Sequence, residues 1–149
     1  MQNSMTAIQS STLAFKTSGY NDVQDITPAV ADWVAATGVR NGLLSLFVHG
    51  STAALTTIEF ESGVVADLKA AIERMAPDDI PYDHDRRWGD GNGYAHVRAA
   101  LLGPSLTIPI TEGSLALGTW QQIVLVDFDN RPRHRQVIAQ VVGEDLKRE

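Results

Sequence analysis

The architecture of this chain is set by residues 120–142, WQQIVLVDFDNRPRHRQVIAQVV, which hold two apolar stretches separated by a polar turn. Trp120 to Phe128 and Arg135 to Val142 have the length and composition of strands. The Asp-Asn-Arg-Pro sequence at 129–132 is rich in turn-forming residues. This part of the chain therefore predicts strands of an antiparallel sheet.

Outward from this stretch, apolar periodicity and turn residues predict further elements. The predicted strands are Ser10–Ser18, Leu43–Val48, Ala53–Phe60, Ser105–Ile110 and Leu115–Leu117. The predicted helices run from Thr27 to Gly38, from Ser62 to Pro77 and, with Asn92 as N-cap, from Tyr94 to Leu102. Because helices and strands do not alternate regularly, we expect an α+β fold with an antiparallel, sandwich-like or barrel-like core and flanking helices.

Composition limits the classes of protein that fit. The 149 residues suit a single domain over 1–149, with 1–9 as a loosely ordered tail. The net charge of −6 argues against nucleic-acid binding, and no apolar run approaches the ~20 residues of a membrane span. The absence of a signal peptide predicts a cytoplasmic protein. With no cysteine, thiolate ligands and cysteine nucleophiles are excluded.

The segment 81–96, PYDHDRRWGDGNGYAH, is the first candidate site. Its polar members are His84, His96, Asp83, Asp85, Asp90 and Asn92. Imidazoles and carboxylates are both metal ligands and proton carriers, so the segment predicts a metal site or an acid/base site. The alternative is two surface histidines beside a glycine-rich turn. An EF-hand is excluded because Leu101 stands at the twelfth position, where that loop needs a bidentate acid.

Other polar residues extend the candidate set. Ser51 and Thr52 follow Gly50 between two apolar strands and can donate to an anion, although a plain turn explains them equally. Glu59 lies among apolar residues, so we expect it to have a partner. Trp120 is either core or a pocket wall. Arg133 and Arg135 share a strand face, where they either bind phosphate or carboxylate or form a solvated strand end.

Three segments together resemble the YjbQ family, the secondary thiamine-phosphate synthase group. They are FVHGSTAALTTIEFESGVVADL, YDHDRRWGDGNGYAHVRAALLGPSLTIPI and GSLALGTWQQIVLVDFDNRPRHR. The resemblance implies a compact α+β fold, a homotrimer with pockets near subunit boundaries, and a secondary ability to join a pyrimidine diphosphate to a thiazole phosphate.

The resemblance also carries over individual residues. His84 matches the family's histidine after Pro-Tyr, and Asp90 matches its acidic residue. His96 matches the histidine that opens the family's next helix. Trp120 and Gln121 match its Gly-Thr-Trp-Gln signature. Asp127 stands where many members have Glu, and Arg135 where they have Arg.

One position departs from the pattern. Where many relatives have His-Thr-Thr-Ala-Ala, this chain has Gly50 in place of the histidine, and His49 would face the other side of its strand. The histidine that a three-histidine metal site would need at this position is therefore absent. The remaining ligand set for a divalent ion, zinc or magnesium, is His84, His96 and Asp90, completed by water. No organic cofactor is expected.

Two functional hypotheses follow. In the first, an enzyme uses His84, Asp90, His96 and Glu59 as catalytic residues. Its substrate or phosphate ligands are Ser51, Thr52, Asn92, Trp120, Gln121 and Arg135. In the second, the same pocket belongs to a non-catalytic homotrimer that binds or senses a phosphorylated metabolite. A third interpretation makes segment 81–96 a subunit-contact loop without a metal.

Overall fold

The computed structural model describes residues 4–146, and within them the side chains of residues 6–144. The helices are α1 (Thr27–Thr37), α2 (Ser62–Met75), α3 (Asp83–Trp88) and α4 (Gly93–Leu102). The strands are β1 (Ser4–Thr17), β2 (Asp22–Asp25), β3 (Asn41–His49), β4 (Ala53–Ile58), β5 (Ser105–Thr111), β6 (Ser114–Leu115), β7 (Gln122–Asp127) and β8 (Arg133–Leu146).

The strands form two antiparallel sheets. One has five strands in the order β1-β8-β3-β5-β6, and the other has three in the order β2-β7-β4. The predicted α+β class and the barrel-like, curled antiparallel core are thus confirmed. Strands β7 and β8 follow one another in the chain but enter different sheets, so the 128–132 turn crosses from one layer to the other.

The three-stranded sheet is the middle layer and is covered on both faces. On one face, Ile123 and Leu125 of β7 pack with Leu44, Leu46 and Val48 of β3 in the main core. On the other face, alternate β7 residues and Phe128 pack against α2 and α4. A strand buried on both faces has to be apolar throughout, which explains the uninterrupted run Ile-Val-Leu-Val of β7.

Several predicted boundaries differ from the structure. Residues 4–9, expected in a loose tail, pair with the end of β8, for example Ile8 with Val142; residues 1–3 lie outside the described part of the chain. Segment 81–96, interpreted as a loop, contains α3. Helix α2 is capped by the Glu61 carboxylate, which accepts hydrogen bonds from the amides of Gly63 and Val64, rather than by Ser62. Within residues 4–146, no helix is long and apolar enough to cross a membrane.

Candidate functional site

A polar pocket of about 400 Å³ opens where the two sheets and the short helices meet. Four segments of the chain supply its walls: the β3–β4 loop, α3 with the loop after it, the start of α4, and the start of β8. Its lining residues are Gly50, Ser51, Thr52, His84, Trp88, Asp90, Asn92, His96, Arg133 and Arg135. The volume suits a small molecule of a few fused or linked groups.

The inner wall is a buried ion pair between Asp127 and Arg135. The guanidinium donates from Nε to Asp127 Oδ2 at 2.7 Å and from Nη2 to Oδ1 at 2.8 Å, while Nη2 also donates to Thr52 Oγ1 at 2.6 Å. Asp127 additionally accepts from the hydroxyl of Thr17 and from the amide of Asp129. Bidentate pairing of this kind fixes the plane of the arginine.

Asp129 forms a second, adjoining network. Arg133 donates from Nε to Asp129 Oδ2 at 2.8 Å, and the Thr52 hydroxyl donates to the same oxygen at 3.0 Å. Asn92 Nδ2 donates to Oδ1 at 3.3 Å. Burial raises the pKa of Asp129, but hydrogen bonds from the Asn130 amide, Asn92, Arg133 and Thr52 outweigh it and lower the pKa to about 2. Asp129 is therefore ionised at neutral pH.

His84 and His96 come from different helices and face each other. Their ring centroids are 4.4 Å apart and the ring planes are tilted by 42°. Desolvation by burial, together with the neighbouring His84, lowers the pKa of His96 below its ordinary value of 6.5. At neutral pH, His96 is consequently an uncharged imidazole that can accept a proton or a hydrogen bond.

His84 also lies beside two carboxylates. Its Nδ1 atom is buried without a hydrogen-bond partner among the described residues, and it lies 3.3 Å from Asp90 Oδ1 and 3.5 Å from Asp85 Oδ1. Ligands of a tetrahedral ion with bonds of about 2.0–2.1 Å are separated by roughly 3.3 Å. The donor set His84, Asp85 and Asp90 thus fits a divalent ion, with Asp85 in the place that the sequence analysis gave to His96.

The structure brings together one part of the predicted site and separates the rest. His84, Asp90, His96, Ser51, Thr52, Asn92 and Arg135 all line the pocket. Glu59, Trp120 and Gln121 lie at the opposite end of the β7–β4 pair, where Gln122 pairs with Ile58, roughly 20 Å from Asp127 by the rise of a strand. His49 is exposed on the outward face of β3, as the strand alternation predicts.

Two of the separated residues also differ from expectation in their surroundings. Glu59 is exposed, so the partner expected for a buried carboxylate is not required. Trp120 is 71% exposed and is neither core nor a wall of this pocket. Gln121 donates to the hydroxyl of Thr57 and holds the 118–121 turn with Oε1. Trp120 and Gln121 precede β7 and Glu59 follows β4, and all three are distant from the pocket because it lies at the other end of this strand pair.

Sequence reasoning assigned no role to Trp88 or Asp129, and it named Asp85 only as a polar neighbour of the histidines. Trp88 stands at the rim with 66% of its surface exposed, and Asp85 joins the His84 group. Asp129, interpreted as a turn residue, is fully buried. A signal for Asp129 was present: Asp127 and Asp129 are two residues apart before the turn, as Arg133 and Arg135 are after it, a spacing that places like groups on one face.

Fold and pocket together define the class of protein: a mixed α/β domain with a curled antiparallel sheet and a polar pocket of ligand size. Residues 11–144 match the family described as UPF0047 protein YjbQ-like, and the chain belongs to that family. The family resemblance seen in the sequence is thereby confirmed.

Individual relatives agree with this assignment. A UPF0047 protein of Methanothermobacter thermautotrophicus is 38% identical over 132 residues, which cover 89% of this chain and 90% of the relative. The crystal structure of a YbjQ-like protein of unknown function from Sulfolobus solfataricus has a TM-score of 0.89 at 30% identity, covering 93% of this chain and 99% of that one. A YjbQ/UPF0047 protein from Clostridium acetobutylicum has a TM-score of 0.80 at 33% identity, covering 88% and 98%.

Proposed function

We propose that this protein binds two phosphorylated heterocycles in the pocket and joins them, making thiamine phosphate from a pyrimidine diphosphate and a thiazole phosphate. The main support for the proposal is that the pocket has two chemically different walls, one of guanidinium groups and one of a carboxylate and imidazoles. Arg133 and Arg135 form one wall. The other holds the carboxylate of Asp90 and the imidazoles of His84 and His96, with Asp85 behind them.

Such a division matches the charges that develop in the reaction. The new carbon–nitrogen bond forms as the carbon–oxygen bond to pyrophosphate breaks, and pyrophosphate leaves with the bonding electron pair. The thiazole ring acquires positive charge at the same time. Arginine donors stabilise the departing pyrophosphate, and an uncharged His96 beside the carboxylates adds no repulsion against the cationic ring.

Trp88 supports the same proposal from the rim. Its largely exposed indole borders the pocket on the side of α3. An indole face attracts both neutral heterocycles, by stacking, and cationic rings, through its quadrupole. Holding the two rings in contact accounts for much of the catalysis, because orientation converts a bimolecular step into an effectively unimolecular one. No covalent nucleophile is required.

A divalent ion on the wall of His84 and Asp90 would change the charge of that wall, so that phosphate oxygens rather than the cationic ring would face it. His84, Asp85 and Asp90 would hold it, and when bound it would supply positive charge to phosphate oxygens. The presence of an imidazole among the donors favours zinc over magnesium, which prefers oxygen ligands. The hydrogen bond from the Gly93 amide to Asp85 Oδ1, 2.8 Å long, fixes that carboxylate in place with or without the ion.

We further propose that the chain forms a homotrimer. The outer face of the five-stranded sheet carries a row of apolar side chains that remain 40–67% exposed. They are Ile8, Leu43, Phe47, Ile138 and Val142, and strand pairing puts Ile8 beside Val142, Val142 beside Leu43, and Ile138 beside Phe47. A contiguous patch of this kind is typical of an association surface.

Sedimentation velocity tests the homotrimer through the variant Leu43→Lys. The wild type is expected to sediment as a trimer and the variant as a single chain of the same secondary structure, because a buried ammonium opposes association. Ala66→Lys, on the exposed face of α2, is the control and should sediment as the wild type does. A wild type that sediments as one chain at all concentrations would remove the trimer from the proposal.

Turnover is the direct test of the proposed function. The purified wild type, incubated with hydroxymethylpyrimidine diphosphate and hydroxyethylthiazole phosphate, is expected to release pyrophosphate and thiamine phosphate in equal amounts. Calorimetry with each substrate alone runs beside it, and elemental analysis reports the metal. Tight binding without product would support the non-catalytic binder instead, and failure to bind either substrate would contradict the proposed reaction.

A further inference from the structure

Because Gly50 has no side chain, it leaves accessible the Nη1 atom of Arg135, which donates to no other described residue. Nε and Nη2 of Arg135 are taken up by Asp127 and Thr52. Among the described residues none accepts a hydrogen bond from Nη1, and the space next to Nη1 is the space that a side chain at position 50 would fill. A Cβ atom added to Gly50 would lie 2.7 Å from Nη1.

Neither the Arg135 guanidinium nor the backbone at position 50 can move easily to relieve this contact. The guanidinium is 93% buried by side chain and is held by three hydrogen bonds of 2.6–2.8 Å, so it cannot swing aside. Gly50 has a φ of +142°, a conformation that residues with a Cβ atom rarely adopt. The absence of a side chain at position 50 therefore produces a fixed notch, bordered by Ser51, with the Nη1 group at its base.

We infer that this notch binds the terminal oxyanion of the ligand, and that Gly50 determines which ligands fit. The inference rests on the proposed function, in which that oxyanion is a phosphate, and adds where the phosphate enters. Nη1 donates to a terminal oxygen, and the Arg133 guanidinium, one third exposed, borders the same pocket. Two planar donors that line one pocket suit a tetrahedral group with several equivalent oxygens.

The buried carboxylates explain why the notch recognises an oxyanion by its geometry. Asp127 and Asp129 neutralise the two arginines from behind, so the net charge of the four groups is zero. Binding then depends on the free N–H groups that point forward, and not on a surplus of positive charge. A planar carboxylate offers fewer acceptor directions than phosphate, and we expect it to bind more weakly.

The experiment is a titration of the wild type and of Gly50→Ala with inorganic phosphate, followed by nuclear magnetic resonance. In the wild type, the Nε signal of Arg135 and the amide of Ser51 are expected to shift together. In Gly50→Ala, affinity is expected to fall at least about tenfold, the equivalent of one lost charge-assisted hydrogen bond. Acetate, the carboxylate probe, should bind more weakly than phosphate to the wild type.

Gly103→Ala is the matched control. Gly103 also has a positive φ, +99°, but an added Cβ atom would meet nothing within 4 Å. This variant carries the backbone strain without the contact to Arg135, and it should bind phosphate as the wild type does. Equal losses in both variants would assign the effect to strain and overturn the inference. The wild-type titration keeps it testable if Gly50→Ala fails to fold: phosphate that leaves the Arg135 and Ser51 signals unmoved also overturns it.

These outcomes separate the inference from the proposed function. If the wild type makes thiamine phosphate but Gly50→Ala binds phosphate with unchanged affinity, only the assignment of the notch fails. A different result is that phosphate shifts the Arg135 signals in the wild type, and Gly50→Ala binds phosphate more weakly, while no thiamine phosphate forms. That result would support the assignment of the notch and contradict the proposed reaction.

Discussion

Replacing Asp127 by alanine is expected to lower the free energy of unfolding by about 3–5 kcal/mol, the range for breaking one side of a buried ion pair. Asp127 is fully buried and accepts both hydrogen bonds that hold Nε and Nη2 of Arg135. The variant leaves the buried guanidinium with Asp129, 3.7 Å from Nη2, as its remaining counter-charge, and it also removes the acceptor for Thr17. Urea denaturation of both proteins at neutral pH measures the difference.

Two further variants show whether the ion pair is the cause. Asp67→Ala removes an exposed carboxylate from α2 and should change the free energy of unfolding by less than about 0.5 kcal/mol. Asp127→Ala combined with Arg135→Met removes both charges and should be more stable than Asp127→Ala alone. If Asp127→Ala unfolds at the same urea concentration as Asp67→Ala, the buried network does not stabilise the turn that builds the pocket.

Much of the fold could be predicted because burial repeats at regular intervals in the sequence. Residues 43–48 are an apolar run of strand length, and this run predicts β3, in which the structure buries Leu44, Leu46 and Val48. The elements that were missed lack such a pattern. Strand β2 is four half-buried residues whose pairing with β7 creates it, and α3 is five polar residues followed by Trp88, with none buried. Tertiary contacts, rather than local preference, determine both elements.

The candidate site was predictable to the extent that its residues are close in the sequence. Segment 81–96 supplies both histidines, Asp90 and Asn92, and the packing of α3 against α4 brings the rings together. The hydrogen-bond partner of Asn92 could not be predicted from neighbouring residues. It stands at the N-cap position of α4, but its side chain makes no capping bond and donates to Asp129, thirty-seven residues away. Only the layered packing of the sheets determines that contact.

The separation of Trp120 and Glu59 from the pocket could not be foreseen from spacing. Trp120 lies just before β7 and Glu59 just after β4, and the far ends of these two strands reach the pocket at Asp127 and next to Thr52. Which end of a strand faces a site depends on the direction in which it enters the sheet, and the two strands are antiparallel. Sequence patterns define the faces of a strand much better than they define its ends.

Replacing His96 by alanine is expected to reduce thiamine-phosphate formation by at least about 10²-fold, the loss that a small misplacement of reacting groups can cause. His96 packs against the ring of His84. It lies in the first turn of α4 and lines the pocket there. Without it, His84 loses the contact that orients it toward Asp85 and Asp90. His134→Ala, an exposed histidine on β8, is the control and should retain wild-type activity.

The pH profile distinguishes a chemical role of His96 from a purely structural one. Protonated His96 would place positive charge beside the ring that becomes cationic, so activity should fall as the imidazole gains a proton. Because burial and His84 lower the pKa of His96, the midpoint of that fall belongs below pH 6.5. In His96→Gln, which keeps a polar side chain but cannot titrate, this acidic fall should disappear from the residual activity. An identical profile in the wild type and in His96→Gln would assign the fall to another group and leave His96 only a place in the packing of the pocket wall.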